Sequence, residues 1–400
     1  MVSVATEKRK TPFTLIVGVL IFVFLSIDIV KMVSVVKNDI IDDYSTYWAA
    51  GRSNINGENP YDSNNVVSQL RLIFSKYVPP AQMIMLYPPW VLPIITPFGG
   101  IDYTLSRFLW LLLNAIIIIF CSDRAWRLMG GEDRNRWISW LCVITVSQAH
   151  ASLIVGGITS LVLLGIIGFL SNINDERRDI LSGAFAALTM IKPHIIFIFL
   201  FALFFWVVQH KRWKVFMGFG LTILTLMGIS IIINPNVIVQ YLFAAGTYSP
   251  VAYETPTFGT LLRHFIFNWN NFSVQYFAPV VGGVWFLFYW KKHHKMWDWL
   301  QQIPTILLVS IITAAYGWSH DQVILIIPIV QAFIWLLQSD SQAKALWIVV
   351  SYLVFQICFL LILNKLGDAW NIWLAPALLL WYYLSSKLAV PKDTLVKVTI

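Results

Sequence analysis

The chain has 400 residues, 58% of them hydrophobic and only 12% charged, with a mean hydropathy of +0.71. Soluble domains carry about 25% charged residues, so a soluble module is excluded. The formal net charge of +8 does not signal nucleic acid. Its basic residues fall in small groups between apolar stretches (Lys8-Arg9-Lys10, Arg177-Arg178, Lys211-Arg212 with Lys214, Lys291-Lys292 with Lys295, then Lys387, Lys392 and Lys397), as the positive-inside rule predicts for membrane loops.

The elements follow in chain order. A basic start precedes a first apolar span over about Phe13–Val36, which reads as a retained anchor because further spans follow. With the Lys/Arg groups placed inside, the segment 37–84 is the first outer loop. Within it, Ser63–Lys76 has spaced apolar positions (Val66, Val67, Leu70, Phe74), the pattern of an amphipathic helix on the membrane surface.

Ile84–Phe98 is short and broken by Pro88, Pro89, Pro93 and Pro97, and Leu181–Val208 is interrupted at Pro193. Each is either one span or a re-entrant or paired half-helix, and both counts give about 12 spans of roughly 20 residues. Later spans are expected near Val215–Ile233, Val274–Trp290, Trp299–Trp318, Val323–Leu337, Ala345–Leu363 and Trp370–Ser386. The expected architecture is one all-α polytopic membrane domain over 1–400 in the plasma membrane. Both termini are then cytoplasmic, with amphipathic helices in the first outer loop. Cys121, Cys142 and Cys358 have neither metal spacing nor a disulfide framework, and they read as buried thiols.

The densest chemistry lies in that loop. Asp42, Asp43, Tyr44 and Tyr47-Trp48 are followed by Gly57-Glu58-Asn59-Pro60-Tyr61-Asp62, and Tyr87-Pro88-Pro89 comes before the next span. Ionisable groups are expensive beside lipid, so a functional role is the default. One of Asp42 and Asp43 reads as a general base facing an outer cleft. Equally, Asp43 reads as the cap of a helix starting at Tyr44. The Gly57–Asp62 stretch is a turn by composition and would hold Tyr61 and Asp62 over the cleft.

Lys192 sits in a long uncharged run, where an ammonium calls for an anion, whether carboxylate or lipid phosphate, or snorkels to the interface. Trp318-Ser319-His320-Asp321-Gln322 at an outer helix junction reads as a proton relay or phosphate contact, or as a plain helix cap. Arg263-His264 offers two donors to phosphate, or a solvated loop face. Asp28 reads as a structural contact, and His150 and His194 as core histidines. No zinc-protease, Walker or glycine-rich nucleotide motif occurs, so no metal and no cofactor are expected.

The order Asp-Tyr, Tyr-Trp, Gly-x-x-Pro-Tyr-Asp, Tyr-Pro-Pro, with the later Lys192-Pro193 and Ser319-His320-Asp321, resembles glycosyltransferase family 87 over roughly Asp43 to Gln322. These are polyprenol-phosphate-sugar-dependent membrane glycosyltransferases of the GT-C superfamily, mannosyltransferases among them. The resemblance implies a GT-C-like bundle with an extracytoplasmic active site and maps the catalytic aspartate to Asp43. It implies a polyprenyl-phosphate-linked sugar as donor and a lipid or glycan hydroxyl as acceptor. Lys192, His320 and Arg263 would then meet the donor phosphate. Asp42, Tyr47, Tyr61, Asp62, Tyr87, His264 and Asp321 would line the substrates. Many relatives carry Gly-Gln where this chain has Gly156-Gly157. The rival reading is a lipid or sugar transporter, which shares broken helices and buried charge but would show internal repeats that are not seen here.

Overall fold

The computed structural model describes residues 16–27, 30, 41–74, 84–248, 254–266 and 271–388. Asp28, the basic N-terminal group and Lys392 and Lys397 lie outside them. Among the described residues every regular element is helical. In chain order the α-helices are α1 Ile16–Ile27, α2 Asp43–Ile55, α3 Ser63–Ile73, α4 Leu92–Gly99, α5 Tyr103–Leu128 and α6 Trp137–Thr145. Next come α7 Ser147–Val155, α8 Thr159–Asn172, α9 Asp179–Ala187, α10 Phe197–His210, α11 Trp213–Ile233 and α12 Val237–Thr247. The last six are α13 Phe258–Phe265, α14 Phe277–His293, α15 Trp299–Ile312, α16 Ile326–Gln338, α17 Gln342–Leu366 and α18 Leu374–Ser386.

This is a multi-pass membrane architecture, but the count of about 12 spans is not reproduced. Among the described residues five helical stretches are long and apolar enough to cross: Tyr103–Leu128, Trp213–Ile233, Phe272–Met296, Ser319–Gln338 and Gln342–Leu363. A sixth forms if Asp133–Thr145 and Ser147–Val155, bent by 57°, make one broken span. The cause is breakage rather than polarity. Several apolar runs fold as helices of 10–17 residues, including α8, α10 and α15. Leu181–Val208 shows why. Its α-helix stops at Ala187, two 3₁₀ turns, Leu188–Ile191 and Pro193–Ile195, flank Lys192, and α-helix resumes at Phe197. Proline removes a backbone donor and disfavours helix at the preceding residue.

Burial sorts the spans into layers. Of the apolar window in Ser319–Gln338, 78% is buried, against 11% in Trp213–Ile233. The former is a central post; the latter presents its apolar surface outward, as a lipid-facing helix does. The post begins with a 3₁₀ turn, Ser319–Leu325, which continues directly into α16.

Two close helix contacts set the frame. A Cβ on Gly183 of α9 would meet the Val215 carbonyl oxygen of α11, and one on Gly218 would meet that of Ile180. Small residues at such crossings let backbones approach in a membrane, where there is no water to drive association. The helix α2 is locked onto α4 in the same way. A Cβ on Gly51 would lie 2.9 Å from the Ile95 oxygen, and one on Gly99 would collide with the Arg52 backbone nitrogen. Asn54 donates to the Thr96 hydroxyl at 3.1 Å and Trp48 Nε1 to the Ile101 carbonyl at 3.0 Å. The expected amphipathic helix is present as α3, with Val66, Val67 and Leu70 buried. That face packs into the protein core beside α2.

Gly99→Val is therefore expected to lower the thermal unfolding midpoint in detergent, by the equivalent of about 1–3 kcal/mol typical of overpacking. Gly246→Ala in α12, where an added Cβ meets nothing within 4 Å, is the control and is expected to be neutral or slightly stabilising.

Candidate active site

The site begins at the cap of α2. Asp42, not Asp43, is the N-cap: its carboxylate accepts the Ser45 backbone N–H at 2.9 Å, and the Asp42 N–H donates to Ser45 Oγ at 3.1 Å. The helix starts at Asp43, one residue earlier than expected. Asp42 also pairs with Arg107 of α5 at 2.7 Å. Asp42 is thus committed to structure, and Asp43 is left without a capping duty.

Asp43 Oδ2 lies 3.2 Å from His320 Nε2, and the Asp43 side chain keeps 38% of its surface exposed. This contact is an ion-pair approach without the alignment of a good hydrogen bond. Tyr47, one helical turn on, donates to the same oxygen at 3.4 Å, and its hydroxyl meets that of Tyr87 at 2.9 Å. Tyr87 in turn has the Lys192 ammonium over its ring, 5.5 Å from the centroid.

Lys192 donates to Asp321 Oδ1 at 2.5 Å, and both side chains are almost fully buried, at 4% and 1% exposure. The Asp321 carboxylate is saturated: Oδ1 also accepts the Thr159 hydroxyl at 2.6 Å, and Oδ2 accepts the Trp318 N–H at 3.0 Å. His320 Nε2 stands 3.6 Å from Asp321 Oδ1, so the imidazole lies between two carboxylates. The result is a continuous chain, Asp43–His320–Asp321–Lys192, built from the start of α2, the start of the central post and the break between α9 and α10.

Glycines make room for it. Gly156 adopts φ +67°, a left-handed conformation that glycine enters freely, and its Cβ direction is filled by Arg107 and Tyr44. A Cβ on Gly157 would lie 3.3 Å from His320 Cδ2. The glycine pair thus lets a turn pass between α2 and His320, and it delivers Thr159 two residues later.

Electrostatics separates the two adjacent aspartates. Burial raises the Asp42 carboxyl to about 6, against the pull of Arg107. Burial would raise Asp43 too, but His320 and then Lys192 outweigh it and hold Asp43 below the ordinary aspartate value.

The other expected residues fall elsewhere. Tyr61 is buried, donates to the Tyr87 carbonyl at 3.0 Å and packs on Tyr241, so it braces Tyr87 from behind. Asp62 caps α3 through the Asn64 N–H at 2.8 Å. Arg263 is buried in a separate group, donating to Gln275 Oε1 at 2.6 Å with its guanidinium 5.2 Å from the Phe272 ring centroid. His264 lies beside it against Phe265. Lys192, expected at a phosphate, is balanced by Asp321. His194, read as a core histidine, stacks on Tyr316 with ring centroids 4.1 Å apart.

Sequence reasoning did not single out Thr159 or Arg107. The only signal for either was the glycine pair just before Thr159.

Glycosyltransferase family 87 matches residues 85–314, more than half of the chain. The chain belongs to that family and is by it a membrane glycosyltransferase. No curated protein and no solved structure matches it. Lys192 falls inside the matched stretch; Asp43, His320 and Asp321 fall outside it.

Lys192→Met is expected to destabilise the protein by roughly 3–5 kcal/mol, because it strands a buried carboxylate. The double variant Lys192→Met/Asp321→Asn is expected to recover much of that loss in thermal unfolding. A double variant no more stable than the single one would mean that the pair is not coupled. Asp42 gives a second stability signature. Its folded value lies above the 3.8 of free aspartate, so the protonated form favours the fold. Stability from this group is present at low pH and lost as pH rises from about 4 to about 6. Asp42→Asn, which keeps the capping oxygen, is expected to flatten that part of the stability–pH curve.

Proposed function

We propose that the protein is an inverting glycosyltransferase. It moves a sugar from a polyprenyl-phosphate donor to a glycolipid or glycan hydroxyl at the outer face of the membrane, with Asp43 as general base. The observation that carries this reading is the Asp43–His320 contact at 3.2 Å, with Asp321 and Lys192 directly behind it. A partly exposed carboxylate beside an imidazole suits the removal of a proton from an incoming hydroxyl. Asp43 is a weak base by its lowered value. That suffices where the glycosidic bond breaks ahead of attack, because the acceptor hydroxyl becomes acidic only as it bonds to the cationic sugar carbon. The departing phosphate gains charge as that bond breaks, and a protonated His320 with the Lys192 ammonium behind it would stabilise it electrostatically.

The placement of charge favours the outer side. Lys192 lies just before α10, and Lys211, Arg212 and Lys214 lie just beyond its far end, 14 residues on. At 1.5 Å per residue that is about 20 Å. α14 likewise begins next to Phe272, whose ring is 6.5 Å from Tyr316, and ends at Lys291 and Lys292. The two basic turns meet where Gln209 donates to the His294 carbonyl at 2.9 Å. By the positive-inside rule that end is cytoplasmic, so the end with Asp43 is extracytoplasmic. The dolichol-like tail of the donor would lie along the outward-facing apolar helices, in contact with membrane lipids.

The test uses purified protein and labelled polyprenyl-phosphate sugars with a membrane lipid extract as acceptor. Asp43→Asn is expected to abolish transfer while lipid-donor binding persists. Transfer by the native protein is expected to survive acidification until pH falls below 3.8, since the Asp43 value is lowered and the carboxylate is the working form. Full activity of Asp43→Asn would end the assignment. Movement of labelled lipid across a vesicle bilayer without any glycosylated product would favour the transporter.

A further inference from the structure

His320 carries the proposed chemistry, yet its own backbone position has to be set by something. Its element starts with free N–H groups, as every helix start does. Two carboxylates claim the pair on its N-terminal side. Asp321 Oδ2 accepts the Trp318 N–H at 3.0 Å, and Asp368 Oδ2 accepts the Ser319 N–H at 3.0 Å. The first is local. The second comes from a different part of the chain, beyond the family match and beyond the motifs read in the sequence.

The local structure explains how Asp368 arrives there. α17 runs to Leu366, and Gly367 then adopts φ +89° with nothing within 4 Å of its Cβ direction. Only glycine takes that conformation freely. The chain reverses into the 3₁₀ turn Asp368–Trp373, and Asp368 is its first residue.

We infer that Asp368 is a positioning residue for His320: it fixes the Ser319 N–H, and through it the imidazole between Asp43 and Asp321. This rests on the glycosyltransferase reading given above for the importance of His320, though not for the geometry. The charged groups facing His320 are Asp43 from α2, Lys192 from the break before α10, and Asp321 from its own turn, with Asp368 behind the backbone. Burial pushes the Asp368 carboxyl above the ordinary aspartate value, while the Ser319 hydrogen bond opposes the rise. Protonated or not, the group keeps an oxygen that accepts the N–H. The acceptor, more than the charge, is therefore what the position supplies.

The experiment compares the full-length native protein in detergent with Asp368→Ala, which removes the acceptor, and Asp368→Asn, which keeps it. Gly367→Val, which misdirects the turn with the carboxylate intact, is the second route. The primary readout is the rate of carbethoxylation of His320 by diethyl pyrocarbonate, followed on its peptide by mass spectrometry. Labelling is expected to rise several-fold in Asp368→Ala and Gly367→Val and to stay near the native rate in Asp368→Asn. With labelled polyprenyl-phosphate sugars, Asp368→Ala is expected to lose about tenfold or more in kcat with KM little changed, the pattern of a misplaced catalytic group. Asp368→Asn is expected to restore kcat. Native labelling in Asp368→Ala and Gly367→Val, or Asp368→Asn as impaired as Asp368→Ala, would overturn the positioning role. The two readings fail separately. An inactive native protein with shifted labelling keeps the positioning role and sinks the polyprenyl-phosphate donor. An active protein with flat labelling does the reverse.

Discussion

A single ion pair sealed among apolar helices organises this molecule. Lys192 and Asp321 are each nearly inaccessible, and such a pair is tolerable only when the remaining lone pairs and protons are satisfied. Asp321 meets that demand with the Lys192 ammonium, the Thr159 hydroxyl and the Trp318 N–H. Those partners come from three places where helices are interrupted: the Lys192-Pro193 break, the turn before α8, and the start of the post that becomes α16. An uninterrupted helix spends its N–H groups on itself, so the Trp318 N–H is available because a helix starts there, while the ammonium and the hydroxyl are side chains carried to the carboxylate from the other two places. The ion pair thus fixes three interruptions at one point, and His320, one residue from Asp321, inherits that fixed position.

Adjacent residues of one type take opposite work. Asp42 spends its oxygens on the Ser45 N–H and on Arg107, which ties the head of α2 to α5. Asp43 points the other way along the first turn and keeps part of its carboxylate open. Had Asp43 been the cap, its oxygens would have been consumed by backbone donors. The capping box at Asp42 therefore leaves its neighbour's carboxylate free of capping, and Gly51 against Ile95 with Gly99 against Arg52 hold the helix that both residues open.

The class of the fold was legible because composition and charge placement respond directly to a bilayer. The number of spans was not. A hydropathy pattern reports apolar length, and it cannot see that Ala187 or Thr145 ends a helix inside an apolar run. Asp43, His320 and Lys192 were legible as isolated oddities, charges where charges are costly. Their meeting was not, since no local pattern links residues so far apart. The choice between Asp42 and Asp43 as cap rested on a one-residue shift of the helix start, where local sequence has least resolving power. Arg263 shows the same limit. Its charge is visible in the sequence, but its contacts with Gln275 and the Phe272 ring are not.

The charge balance of the site bears on how it would accept an anionic donor without a surplus cation. The chain Asp43–His320–Asp321–Lys192 holds two carboxylates against one ammonium and one imidazole. With the imidazole protonated the group is neutral, and in the proposed reaction a phosphodiester would bring in one further negative charge. As the sugar left, the phosphate would acquire a second. In the same step the acceptor proton would pass to Asp43 and cancel one carboxylate charge. The total charge at the site would stay constant while negative charge moved from Asp43 to the phosphate, beside a His320 held against both Asp43 and Asp321. In a low-dielectric setting, moving charge past a fixed dipole costs far less than creating it. An ion pair that looks spent on Asp321 can then serve the reaction: it supplies no free cation, but it holds in place the group past which the charge is exchanged.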